Sequence, residues 1–152
     1  VEEDNLDRIS CAWLKAWYNR KNRNLGGGLI LHEDLLTEHP SPAYQSGRLM
    51  AVLAEIQRAA LGDVGAGIVQ RYFAAASSTP ALVLGRLVKI SQFHLDKLDR
   101  GLAIWYEKII AEIASHMGSQ VPNNLNLEEQ TLFALGYYQQ KAVMFTKKNQ
   151  PE

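Results

Sequence analysis

The stretch Ser78–Arg100, STPALVLGRLVKISQFHLDKLDR, constrains this chain more than any other. Ser78 or Thr79 can cap a helix start, and Pro80 suits the first turn, where its missing N–H costs nothing. At about 100° per residue, Val83, Leu84, Leu87, Ile90, Ser91, His94, Leu95 and Leu98 fall on one broad arc. Arg86, Lys89, Lys97 and Arg100 fall on another, with Phe93 among them. One side therefore packs on a core while the other carries a row of positive charge.

The same period runs through most of the chain. A first helix is expected from Asp4 to Arg23, with Leu6, Ile9, Trp13 and Trp17 along one face. Its end carries Arg20, Lys21 and Arg23, cations that complement the negative end of a helix dipole. Gly26–Gly28 stop it, and residues 26–42 read as an irregular connector bracketed by Pro40 and Pro42. From Ala43 the pattern returns: Tyr44, Leu49, Val52, Leu53 and Ile56 alternate with Arg48, Glu55 and Arg58 until Gly62 and Gly65 break it. A shorter helix, Gly67 to Ala76, bears Arg71. Beyond Ser78–Arg100, Asp99 or Gly101 marks a bend into Leu102–Met117, with Leu102, Trp105, Tyr106, Ile109, Ile110 and Ile113 inward. Gly118 and Pro122 end that helix. Asn126 with Glu129 forms a capping-box pattern for a last helix reaching Lys147 and Lys148, in which Gly136 marks close approach of another helix. Strand alternation is scarce. The reading is one all-α domain over residues 1–152, a compact bundle of about five to six helices.

Composition bounds the rest. Sixteen Lys+Arg balance sixteen Asp+Glu, so whole-chain charge names no partner and only the placement of charge matters. Cys11 is alone and cannot form an internal disulfide, which fits a reducing cytoplasm. The opening VEEDNLD is acidic and lacks an apolar run, so no secretory leader is expected. The most apolar uncharged stretch, Tyr72–Gly85, is too short and polar to span a bilayer.

Signatures of chemistry are missing. His32 and His39, with Glu33, Asp34 and Glu38 nearby, stand seven apart, where a zinc-protease helix needs two His four apart. No Glu has His three residues later, as a di-metal bundle needs; Glu112 and His116 are four apart. The glycine triplet is followed by Leu-Ile-Leu and not by Gly-Lys-Ser/Thr, and no Gly-x-Ser-x-Gly occurs. Cys11 has no His near it in sequence. His94 lies on the apolar arc and is expected as a packed, hydrogen-bonded core residue. Trp13, Trp17, Trp105, Tyr137 and Tyr138 are expected as core or interface anchors. No catalytic residue, metal or cofactor is expected.

The basic row is left with two readings, a solvated face or a phosphate-binding one. As one straight helix, Arg86 to Arg100 spans about 21 Å at a rise of roughly 1.5 Å per residue. A strand offers a phosphate about every 3.4 Å, so the row can track about six of them. Phosphates ask for charge rather than base geometry, and Phe93 offers one stacking surface.

Three blocks carry a family likeness: RYFAAASSTPALVLGRLVKISQFHLDKL, GLAIWYEKIIAEI and LNLEEQTLFALGYYQQK, in that order between Arg71 and Lys141. Together they resemble the C-terminal helical domain of the large subunit of type I-C CRISPR Cascade effectors. A looser likeness reaches back to Pro42. Gln139 stands where many relatives carry His, and the first forty residues resemble the family only vaguely. In this family the C-terminal part is also made separately, by internal translation, as a small subunit, and a short chain starting at Val1 fits that arrangement. The resemblance therefore implies a non-catalytic helical small subunit, present in more than one copy. It would pack on the crRNA-bound backbone subunits and the large subunit, and stabilise the R-loop by holding the displaced non-target DNA strand. Guide pairing would supply sequence specificity, and protein contacts would tip a nearly balanced strand exchange. Candidate nucleic-acid-binding residues are then Arg86, Lys89, Lys97 and Arg100, followed by Arg20, Lys21, Arg23, Arg48, Arg58 and Arg71. The alternative is a pure protein–protein assembly module without direct nucleic-acid contact.

Overall fold

A computed structural model describes residues 35–63 and 65–148. The expected first helix, most of the 26–42 connector and Cys11 lie outside the described residues. Within them are five helices: α1 (Pro42–Leu61), α2 (Ile68–Ser78), α3 (Pro80–Leu95), α4 (Arg100–Met117) and α5 (Leu127–Lys148). No strand occurs among the described residues.

The helix ends follow local chemistry. Ser41 is extended, and Pro42 opens α1 at a position whose N–H would have no partner anyway. Gly62, at φ +75°, stops α1 and donates its N–H to the Arg58 carbonyl at 2.8 Å. Thr79 closes α2 and opens α3. Its hydroxyl bonds back to the Ala75 carbonyl at 3.0 Å and does not cap α3, although Pro80 starts that helix as expected. At the head of α5, Asn126 N–H donates to Glu129 Oε2 at 2.8 Å and Glu129 N–H to Asn126 Oδ1 at 2.9 Å. The capping box is thus formed in both directions. Gly118, at φ +83°, ends α4.

The stretch Ser78–Arg100 is not one helix. After Leu95, Lys97 N–H bonds to His94 O and Leu98 N–H to Leu95 O, tightening the chain into a short turn. Asp99 is then extended and caps α4, its Oδ2 accepting the Gly101 N–H at 3.0 Å. The bend sits where Asp99 implies it. It breaks a row of cations that the 3.6-residue period makes look continuous.

The element that the others surround is α1. Every residue from Ala43 to Leu53 is buried, including Gln45, Ser46, Gly47 and Arg48, so the helix has no wet face along this half. Helices α3, α4 and α5 pack on it, and α2 sits against α1, α3 and α5. The core joins Leu53, Ile56, Leu84, Leu87, Ile113 and Phe133. Phe73 of α2 meets Phe133 and Tyr137 of α5 edge to face, at centroid distances of 5.5 and 5.0 Å. On α4 the inward residues are Tyr106, Ile113 and Met117; Trp105, Ile109 and Ile110 are half-buried, and Leu102 is exposed rather than inward.

The α1–α5 crossing is closed by two glycines. A Cβ on Gly47 would lie 1.9 Å from the Phe133 carbonyl oxygen, and one on Gly136 would lie 2.1 Å from the Tyr44 carbonyl oxygen. The two backbones touch, and neither can yield as a flexible side chain would. Close approach at Gly136 is as expected from the sequence; Gly47 is its unexpected counterpart. Beside the crossing, the Tyr44 hydroxyl donates to Gln139 Oε1 and accepts the Leu36 N–H at 3.1 Å. The Gln45 amide donates to the Thr37 and His39 carbonyls, both at 2.9 Å. The irregular segment 35–41 is thereby tied to α1.

Three substitutions test this packing. Gly47→Ala and Gly136→Ala each force backbone against backbone and should cost about 3 kcal/mol or more, lowering Tm by on the order of 10 °C. Gly85→Ala, in α3 with open space around it, should instead stabilise by about 0.5–1 kcal/mol. Urea titrations of the three variants measure both signs. A tyrosine supplies a second test. The Tyr106 hydroxyl is buried without a hydrogen-bond partner among the described residues, and burial, then the Glu55 charge, pushes its pKa up to about 12. Tyr106→Phe should be neutral or stabilising by about 1 kcal/mol, since it removes an unsatisfied group. Above pH 10 the unfolded chain ionises first, so wild-type stability should fall between pH 10 and about 12, and less so in the variant.

Candidate nucleic-acid interface

Leu82, Arg86, Lys89 and Phe93 stand four, three and four residues apart on α3, which places them on one face. All four are exposed, Leu82 at 78% and Phe93 at 71%. That face points away from Leu84, Leu87, Ser91 and Leu95, the buried side of the same helix. Lys97 is exposed in the turn after α3, and Arg100 is exposed at the first position of α4. None of Arg86, Lys89, Lys97 and Arg100 forms an ion pair or a side-chain hydrogen bond among the described residues.

Two local details leave this charge in place. Asp96 and Asp99 border the row but pair with none of its cations among the described residues, and one Asp99 oxygen accepts the Gly101 N–H in the cap of α4. Arg100 stands at a helix N-terminus, where the dipole disfavours a cation. Dipole complementarity therefore does not account for its position. His94, on the flank of α3, is half-buried rather than a hydrogen-bonded core residue. Burial, then the nearby Lys97 charge, holds its pKa below the ordinary value. Lys108, two turns beyond Arg100 on α4, is likewise exposed without an ion pair among the described residues, and spacing along the sequence does not single it out.

The other candidate cations separate into three groups. Arg48 is the correction. Its side chain is 1% exposed, and no strand can reach it. Its Nε donates to Gln140 Oε1 at 2.9 Å, and its Nη1 donates to Gln45 Oε1 at 2.8 Å and to the Thr37 carbonyl at 3.1 Å. Its Nη2 meets Glu112 Oε1 at 3.3 Å. The guanidinium is a buried linchpin joining α1, α4, α5 and the 35–41 segment. Arg58 is committed locally: it grips Glu55 through two bonds of 2.7 and 2.9 Å and lies 5.6 Å from the centroid of the Phe145 ring. Arg71 is exposed on α2 without an ion pair among the described residues. Arg20, Lys21 and Arg23 lie outside the described residues.

Elsewhere the described residues offer little that resembles a reaction centre. Among the described residues, no three His, Cys, Asp or Glu side chains gather as metal ligands would. His39 is a structural residue, with its ring stacked on Tyr44 at 4.4 Å and its Nδ1 accepting the Ser41 N–H at 3.1 Å. His32 lies outside the described residues. An open groove between α1, α2 and α5 is lined by Glu55, Arg58, Asp63, Phe73, Lys141 and Phe145, so its acidic and basic groups balance. No described helix is long and apolar enough to cross a membrane.

Among the described residues, Arg86, Lys89, Lys97 and Arg100 thus form an exposed cationic face without ion pairs. A protein-family model described as CRISPR-associated protein (Cas_Csd1) matches residues 1–145. The chain belongs to this CRISPR-associated family. The match includes the first forty residues, where the likeness read from the residues is faint. A comparison with curated proteins returns no match. Family membership makes this a CRISPR-associated protein and assigns no role to any one residue.

The reassignment of Arg48 makes a prediction. Arg48→Ala should destabilise the fold by about 3–5 kcal/mol, because it leaves Gln45 Oε1 and Gln140 Oε1 without their donor inside the core. Arg86→Ala, at the surface, should change stability by no more than about 0.5 kcal/mol. Chemical denaturation of the two variants side by side measures the difference.

Proposed function

We propose that this CRISPR-associated chain is the small subunit of a type I-C Cascade. In this reading it is a non-catalytic, cytoplasmic helical module that packs along the backbone and large subunits, beside a second copy of itself. It stabilises the R-loop by holding the displaced non-target DNA strand, and touches the crRNA–target duplex only indirectly. The observation that carries this reading is the set of exposed cations Arg86, Lys89, Lys97 and Arg100, on α3, in the turn after it and at the start of α4, which form no ion pair among the described residues. In a chain of formal net charge zero, such a cluster is a matter of placement rather than of composition. Membership of the CRISPR-associated family supports the reading that the polyanion this cluster meets is a nucleic acid.

The mechanism needs no bond-making by this chain. Opening the target duplex exchanges one double helix for another of similar stability, so small favourable contacts to the expelled strand move the equilibrium. Long cations suit that role because they neutralise phosphates and release counterions without reading bases. The bend at Asp99 divides the cations between two elements. The straight row of about 21 Å expected from a single helix is replaced by Arg86 and Lys89 on α3, Lys97 in the turn, and Arg100 on α4.

Reversal of all four to Glu tests the proposal in the assembled effector. The variant should keep its helical circular dichroism and its place in the complex. It should form the R-loop at least tenfold less tightly. The dependence of log K on log salt should flatten by about 0.7 for each lost single-strand phosphate contact. Unchanged R-loop yield and salt response would remove these cations from the site. Loss of the variant chain from the purified complex would support the assembly module instead.

A further inference from the structure

We infer that Phe93 is a base-stacking platform that makes the α3 face selective for unpaired DNA; this rests on the reading of that face as a strand-holding surface. Three observations lead to it. Phe93 is the one exposed aromatic side chain among the described residues; every other described aromatic is buried or half-buried in the bundle. It sits on the same face as Arg86 and Lys89, one turn beyond Lys89, and Lys97 follows four residues later. No acidic side chain pairs with any of those cations among the described residues.

Geometry then favours a strand over a duplex. From Lys89 to Phe93 the helix rises about 6 Å. That exceeds the step of about 3.4 Å between stacked nucleotides. Across that rise the Lys89 ammonium and the Phe93 ring can reach a phosphate and a nearby base of the same strand. Inside a duplex both faces of each base are already covered by neighbours, so Phe93 has nothing to stack on. In a displaced strand the faces are open, and every base offers one, so the contact tolerates any sequence. Arg86 and Lys89 supply the charge, and Phe93 supplies the distinction between paired and unpaired.

The same face fits an apolar protein partner poorly. The two large apolar residues, Leu82 and Phe93, stand three turns apart with Arg86 and Lys89 between them. A partner covering both would bury two cations that have no ion-pair partner among the described residues. A groove-binding helix face instead offers apolar residues at consecutive turns.

The test uses the assembled effector with target DNA carrying 2-aminopurine at successive positions of the displaced strand. With the wild-type chain, at least one position should be quenched by stacking. Phe93→Ala and Phe93→Leu should both relieve that quenching and speed R-loop dissociation, by roughly five- to hundredfold for one lost stack. Phe93→Trp should preserve both readouts, and the salt dependence should not change in any of the three. Leucine keeps the apolar area but lacks the aromatic face, so a leucine variant that behaves like wild type overturns the inference. So does Phe93→Ala with unchanged fluorescence and dissociation; if the four-cation reversal still weakens the R-loop, only the stacking is lost and the strand-holding reading stands. If the reversal is also silent, both fall. Release of the Phe93→Ala chain from the complex would mean that Phe93 meets a protein, and would overturn the inference as well.

Discussion

Everything in this molecule depends on how closely α1 and α5 approach. Glycine at positions 47 and 136 lets the carbonyls of Phe133 and Tyr44 lie where a Cβ would otherwise stand. Two helices in backbone contact leave no room for water between them, so α1 is enclosed by its neighbours over its first three turns. Polar groups on an enclosed helix must find partners inside the protein. This is why Tyr44, Gln45 and Arg48 bond to Gln139, Gln140, Glu112 and the carbonyls of Thr37 and His39. The crossing thus accounts for both the apolar core and the polar network that runs through it.

The same enclosure sorts the positive charges. Arginines that face inward are fully occupied: Arg48 holds four elements together, and Arg58 is matched by Glu55. Among the described residues, Arg86, Lys89, Lys97 and Arg100 are left without an ion pair on the outer side of α3 and at the α3–α4 corner, as are Arg71 on α2 and Lys108 further along α4. Helix α3 lays its apolar arc on α1 and α2, and its opposite arc is free of contacts with the bundle's core. A helix anchored on one side and cationic on the other is a suitable support for a flexible polyanion, because its backbone is already ordered and only the side chains lose freedom on binding.

Local signals made much of the fold legible in the sequence. Proline at the first position of α3, glycine after α4 and the Asn126–Glu129 pair each act within a few residues, and each does what its chemistry implies. Gly136 announced a close approach because glycine weakens a helix interior unless something needs the space. The centre of the fold was harder to read. Gln45, Ser46, Gly47 and Arg48 look like a polar stripe, and only partners more than ninety residues away, Gln139 and Gln140, show that the stripe is inside. The break at Leu95 was hidden for a different reason. The spacing of Lys97 and Arg100 continues the helical period, while the turn is set by backbone bonds at His94 and Leu95 that composition does not reveal. The exposed cations of α3 were legible from spacing alone; that Phe93 stays outside while every other described aromatic is drawn toward the core required the packing.

The central claim is that the outer face of α3 meets a nucleic-acid strand. Amine acetylation read by mass spectrometry measures this directly, because Lys89 and Lys97 are exposed and carry no ion pair of their own among the described residues. In the guide-loaded effector both should react readily, and both should become shielded when target DNA opens into the R-loop. Equal reactivity before and after target addition would contradict the account. Shielding already complete before any target is present would also contradict it, since a neighbouring subunit would then be what covers the face.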